Sequence, residues 1–344
     1  MSQKRTLGIP LRVALGVLLL VFLAGCSRQP RVVLYCAQDR EFAVEALEQF
    51  TSQTGLAVAS HFDTESTKSV SLYFQLVSEA SRPRCDVFWN NEILSTIRLQ
   101  KRGLLEPYLS PAAAPFPGSA RADDHTWTAF AARARVLLVN TKLVAAADLP
   151  TSIFDLTQPK WQGRTAMAKP QFGTSATQAA CLFQVLGPDQ ARAYYQGLKA
   201  NGVQVVSGNK QVAEGVGQGQ YALGITDTDD AIAEVKAGRP VALIFPDQDG
   251  LGTLFIPNTV MIIKGGPSPE GARRLVDYLL SPEVEKKLAE SDSQQIPLNP
   301  QVKANLPKEI EAGRTAQAMP VNWQKAADLW DEVQEFLAKE FAKP

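Results

Sequence analysis

Histidine is nearly absent from this 344-residue chain, which has only His61 and His125. No His-x-x-His or Cys-x-x-Cys pair occurs, so zinc sites built on those spacings are excluded. No Gly-x-Ser-x-Gly elbow and no Gly-Lys-Ser/Thr closing a glycine loop is present. A hydrolase nucleophile elbow and a P-loop are excluded with them. Neither charge sign is in excess: 35 Lys and Arg face 35 Asp and Glu. That balance implies no basic face large enough for nucleic acid, and no nucleic-acid motif occurs. Cysteine is sparse, with Cys26, Cys36, Cys85 and Cys181. Cys36 and Cys85 stand at opposite ends of two predicted parallel strands. They are expected, like Cys181, to be buried free thiols.

The chain starts with Lys4, Arg5 and Arg12, followed by an apolar run over residues 13–23. The run is short for a membrane span and reads as a signal peptide. It ends in Leu23-Ala24-Gly25-Cys26, which looks like a bacterial lipobox. That likeness implies cleavage after residue 25 and a lipid on Cys26. Residues 26–31 then form a tether. Losing the signal removes three basic residues and no acid, so the remainder is slightly acidic.

Beyond the tether, strands and helices alternate. "RVVLYCA", "LAVASHF" and "CDVFWN" read as strands, each followed by an amphipathic helix. Asp39 stands at the first helix's start and Gly55 past its end. The Pro- and Ala-rich stretch "SPAAAPFPGSARADDH" reads as surface loop. "WTAFAARARVLLVNT" follows and reads as two strand pieces. A second alternating set leads to "YALGIT" and "DDAIAEVKAG", and the C-terminal part is helical. The pattern is α/β, with parallel-rich sheets in two lobes. Such sheets bind ligands beyond the carboxyl ends of their strands.

The predicted strand ends are polar. Asp39 follows the first strand, and Asn91 and Glu92 follow the third. "GTSAT", with Gly173, Thr174 and Ser175, opens a helix, and Asn209 opens another. A helix N-terminus with small hydroxyls suits an anion, although Ser or Thr there also caps the helix unaided. Thr226 to Asp230 reads "TDTDD". One cap needs one acid, and three acids in four residues repel one another unless a positive group is near. Asp39, Glu92, Asp227, Asp229 and Asp230 are therefore candidates to face a cation.

The chain resembles the periplasmic solute-binding proteins of ABC importers, in particular their ferric-iron-binding branch. The segments that carry the likeness are "LYCAQDREF", "CDVFWNNEILSTIRLQKRGLLEPY", "FAARARVLLVNT", "DLTQPKWQGRTAMAKPQFGTSAT", "YYQGLKANGVQVVSGNKQVAEGVGQGQYALGITDTDDA" and "GTLFIPNTVMIIKGGPSPEGARRLVDYLLSPEVEKKLAES". The resemblance implies the two-lobed, type II periplasmic-binding-protein fold, with hinge strands between the lobes. Residues 32–131 and 257–305 would form the N-lobe, and residues 132–256 and 306–344 the C-lobe. It implies no catalysis and no resident cofactor. The cargo would be iron(III) or another metal ion with phosphate or carbonate, passed to an ABC permease in the inner membrane by a membrane-anchored monomer in the periplasm or at the cell surface.

Residue by residue, Asp39 stands where branch members place a histidine or tyrosine. Asn91 stands where many place a glutamate, with Glu92 one position on. Thr228 and Asp229 stand where their iron-binding tyrosine pair falls. The cation side is thus Asp39, Asn91, Glu92, Asp227, Thr228 and Asp229, with Asp39, Asp227 and Asp229 as metal ligands. The anion side is Gly173, Thr174, Ser175 and Asn209, with Arg133 matching a family arginine near the cleft. The same polarity suits a zwitterion such as an aminoalkylphosphonate, and the acids alone suit a polyamine. An enzyme on the same cleft, or a receptor feeding a sensor kinase, are the remaining alternatives.

Overall fold

A computed structural model describes residues 31–63 and 70–342. The signal peptide, Cys26 and tether residues 26–30 lie outside the described residues.

The first wing starts with three parallel strands: β1 (Arg31–Cys36), β2 (Ala57–Phe62) and β3 (Val87–Asn90). β1 is flanked on both sides, so its Val32, Leu34 and Cys36 are fully buried. Helix α1 (Arg40–Thr54) buries Ala43, Ala46, Leu47 and Phe50, spaced three and four residues apart. It stops at Gly55, whose φ of 68° lets its N–H reach back to the Thr51 carbonyl. Helices α2 (Val70–Ser78) and α3 (Leu94–Lys101) follow, then the short β4 (Leu105–Glu106).

The second wing is built the same way. β6 (Thr165–Ala168) lies between β7 (Gln204–Val206) and β8 (Leu223–Asp227), all parallel. Helices α4 (Gly173–Leu186), α5 (Pro188–Ala200), α6 (Asn209–Gly217) and α7 (Thr228–Lys236) connect them, and β9 (Val241–Ile244) follows.

Two long antiparallel strands, β5 (Trp127–Asn140) and β10 (Phe255–Ile263), join the wings. β10 also pairs with β3, and the far half of β5 pairs with β8. The sheet order is β2-β1-β3-β10-β5-β8-β6-β7. Helices α8 (Pro269–Leu279), α9 (Pro282–Glu290) and α10 (Lys308–Gly313) come next, then α11 (Trp323–Asp328) and α12 (Trp330–Glu340). The last two bridge the wings: Lys101 of α3 pairs with Asp328, and the Gln171 amide donates to the Leu337 carbonyl.

The sequence reading of "WTAFAARARVLLVNT" as two strand pieces is corrected. It is one strand of 14 residues, buried along its length. Its interruption is a bulge. Ala131 has a φ of 43° and no partner in the β5–β10 ladder, where Phe130 faces Asn258 and Ala132 faces Pro257.

Candidate functional site

The carboxyl ends of β1, β3, β6, β7 and β8 open on one cleft of about 1090 Å³. Asp39, Asn91, Arg133, Gly173, Thr174, Ser175, Asn209, Asp227, Asp229 and Asp230 line it. Of the expected site residues, two lie elsewhere. Glu92 is fully buried and caps α3, accepting from Leu94 N at 2.6 Å and Ser95 N at 2.9 Å. It also accepts from the Thr177 hydroxyl at 2.9 Å, a bond between the wings. Thr228 is buried beneath the cleft, and its hydroxyl accepts from Ala134 N at 3.2 Å. Both side chains satisfy backbone N–H groups, which an inward-facing strand end or helix start must do when water is excluded.

The centre of the site is a residue the sequence reading passed over. Arg133 and Arg135 lie two apart on β5 and so point to the same side of the sheet. The β5–β8 register places Arg135 directly opposite Asp227. Arg135 Nη1 lies 2.7 Å from Asp227 Oδ1. Its Nε donates to Gln178 at 3.0 Å and its Nη1 also reaches Asn209 Oδ1 at 2.9 Å. The other Asp227 oxygen accepts from the Thr174 hydroxyl at 2.6 Å and the Asn209 amide at 3.0 Å. Asp227 and its partners thus form a closed set over Arg135, which is 2 % exposed and stands behind the lining residues. The signal was legible in "ARARV": two arginines at strand period inside an otherwise apolar run.

The expected division into a cation wall and an anion wall is therefore corrected. Asp227, placed with the acids, lies among the anion-side residues Thr174 and Asn209. Arg133, placed on the anion side, stands against Asp229 at 3.4 Å and donates to the Asn91 carbonyl at 2.5 Å. That second bond crosses the cleft from the hinge strand to the end of β3. Arg133 Nε is buried without a hydrogen-bond partner, so the guanidinium keeps a donor to offer.

Burial alone would raise the Asp227 pKa, but Arg135 and then Arg133 outweigh it and hold the carboxyl below the usual range. Burial alone would lower the Arg133 pKa, and Asp229, Asp227 and Asp39 reverse that, so it stands above its ordinary value. Both groups are ionised at neutral pH. Asp227, Asp229 and Asp230 each offer an oxygen within 4.8 Å of the others. The three carboxylates offer oxygen ligands, which suit a hard cation, and two buried guanidiniums stand beside them.

The cleft can be set beside known proteins. A family model described as "Bacterial extracellular solute-binding protein" matches residues 95–338. The major ferric iron-binding protein of Neisseria meningitidis is 27% identical over 282 residues, covering 79% of this chain and 82% of its own length. Iron uptake protein A1 of Synechocystis is 25% identical over 291 residues, covering 80% of this chain and 79% of its own. The solved ferric binding protein from Campylobacter jejuni superposes with a TM-score of 0.80 at 22% identity, over 90% of this chain and 99% of that one. The fold is the type II periplasmic-binding-protein fold that the sequence led us to expect.

Proposed function

Because the chain belongs to the bacterial extracellular solute-binding proteins, we propose that it is the receptor of an ABC importer for a metal ion, iron(III) foremost, taken with a small anion. In this reading a lipid on Cys26 anchors it outside the cytoplasmic membrane, and it hands cargo to a permease. The observation that carries the metal is the Asp227, Asp229 and Asp230 cluster, whose oxygens gather within 4.8 Å on the cleft wall. Asp39 lines the same cleft from the other wing, and in this reading it joins them as a further oxygen ligand. Carboxylates are hard ligands, and a trivalent ion offsets their mutual repulsion. The phenolates typical of the resembling branch are missing at these positions, so acids and an anion carry the charge here. The relatives named for iron support this cargo.

A second reading rests on the ion pairs. Two of the acids already face buried arginines, so the cleft presents both signs within one site. A zwitterion such as 2-aminoethylphosphonate would use both. Elemental analysis of the native protein, followed by calorimetry with iron(III) citrate and with 2-aminoethylphosphonate, separates the two. Stoichiometric iron with no phosphonate binding is the expected result. Phosphonate binding without metal would sink the iron reading and leave the zwitterion.

A further inference from the structure

We propose that Asp227 is a built-in anion: its carboxylate holds the place that the anionic group of the ligand takes on Arg135, and displacement frees its oxygens for the cation. The inference rests on the reading above that the cargo carries an anion.

Three donors from three elements surround this carboxylate. Arg135 comes from β5, Thr174 from α4 and Asn209 from α6. Both oxygens are engaged, as an inorganic oxyanion would be. Asp227 stands at the N-cap of α7, yet its side chain makes no capping bond to that helix. The carboxylate is therefore turned away from its local role and toward Arg135. Ser175 Oγ, 3.4 Å from Arg135 Nη2, is a further hydroxyl at the same place. The first turn of α4 adds its dipole, and its N-cap residue Phe172 supplies no side-chain acceptor. Asp227, Thr174, Ser175 and Asn209, all hydrogen-bonded to Arg135, line the cleft, whereas Arg135 itself does not.

The arrangement fixes the sign of a coupling. A cation arriving alone must draw Asp227 off Arg135 and leave a buried guanidinium unpaired. An anion arriving alone must push Asp227 toward Asp229 and Asp230, whose oxygens already lie within 4.8 Å. When both arrive, every charge has a partner. Each ligand therefore raises the affinity of the other, by the same factor in both directions, on the order of 5- to 150-fold. A single zwitterion would make the same exchange with its two ends.

The test is calorimetry with inorganic phosphate and no metal, on the wild-type protein and on Asp227→Asn. Removing the competing charge should tighten phosphate binding by about tenfold or more. If the variant is unfolded on its own, refolding by phosphate, and not by chloride at equal ionic strength, is the same supporting result. A variant whose phosphate affinity equals or falls below wild type, or that phosphate neither binds nor refolds, overturns the proposal. Wild-type affinity for gallium(III) is a separate readout of cargo. Its absence defeats the metal reading and leaves the displacement to be judged on the phosphate arm.

Discussion

At the scale of single residues, side-chain direction separates the ligand candidates from their neighbours. Asn91 and Glu92 are adjacent, yet Asn91 lines the cleft while Glu92 turns into the protein to cap α3. Glu92→Ala should therefore cost stability, about 1–3 kcal/mol for a lost cap and an unpaired Thr177 hydroxyl. Ligand affinity of the folded variant should change less than about threefold, because the Glu92 carboxylate bonds to Asn90, Leu94, Ser95 and Thr177, none of which lines the cleft. Denaturant melts and calorimetry on the same sample check both halves, and a large affinity loss with unchanged stability would restore Glu92 as a ligand. Position along the chain announced the polar strand ends, since a buried strand tolerates few such residues. It did not announce which of two neighbouring side chains points outward. Nor did it announce that Arg135 meets Asp227, residues separated by 92 positions and joined only by strand register.

At the scale of elements, the hinge strand shows what periodicity sees and what it misses. The apolar run of β5 was plain, and so was a break within it. The break is a bulge rather than a gap, because a tertiary partner holds it. The Ala131 N–H donates to Glu285 Oε1 at 2.7 Å, and the Asn258 amide donates to the Ala131 carbonyl. Glu285 also accepts from Leu298 N and Asn299 N, both at 2.9 Å. No local pattern links residue 131 to residue 285. Burial raises the Glu285 pKa above its ordinary value, and its three backbone donors offset only part of that rise. A carboxyl with a raised folded pKa contributes stability that is full below its unfolded pKa and declines as pH climbs through the folded one. Glu285→Gln cannot titrate. The wild-type protein should therefore exceed the variant by its widest margin near about pH 4, and the margin should narrow toward about pH 7. Thermal melts across that range decide it, and a margin that widens with pH would show that the carboxylate form is the favoured one at the hinge.

At the scale of the whole molecule, two wings do not mean two independent units. One apolar core takes in Val32 and Cys36 on β1, Leu137 on the hinge strand and Cys181 on α4. β5 and β10 run through both wings, and Arg98 of α3 packs over the Trp330 ring at 4.9 Å, tying α12 to the first wing. The alternation of strands and helices was enough to foresee the two-lobed class. The continuity of the core was not foreseeable, because it depends on how the final helices lie across the back. It has a consequence for the three thiols. Cys36 and Cys85 belong to the first wing and Cys181 to the second, and all three are buried. Burial also pushes the Cys85 and Cys181 thiols well above their ordinary pKa, so the reactive thiolate is scarce in the folded state. Modification must then wait for opening. If the molecule opens as one unit, iodoacetamide should label Cys36, Cys85 and Cys181 at one common rate in a Cys26→Ser background. Ligand at a hundred times its Kd should slow all three together by about a hundredfold. Mass spectrometry of the labelled peptides reads each site separately. A first wing that labels faster than Cys181 would mean that β5 and β10 hold the wings in place without making them fold together.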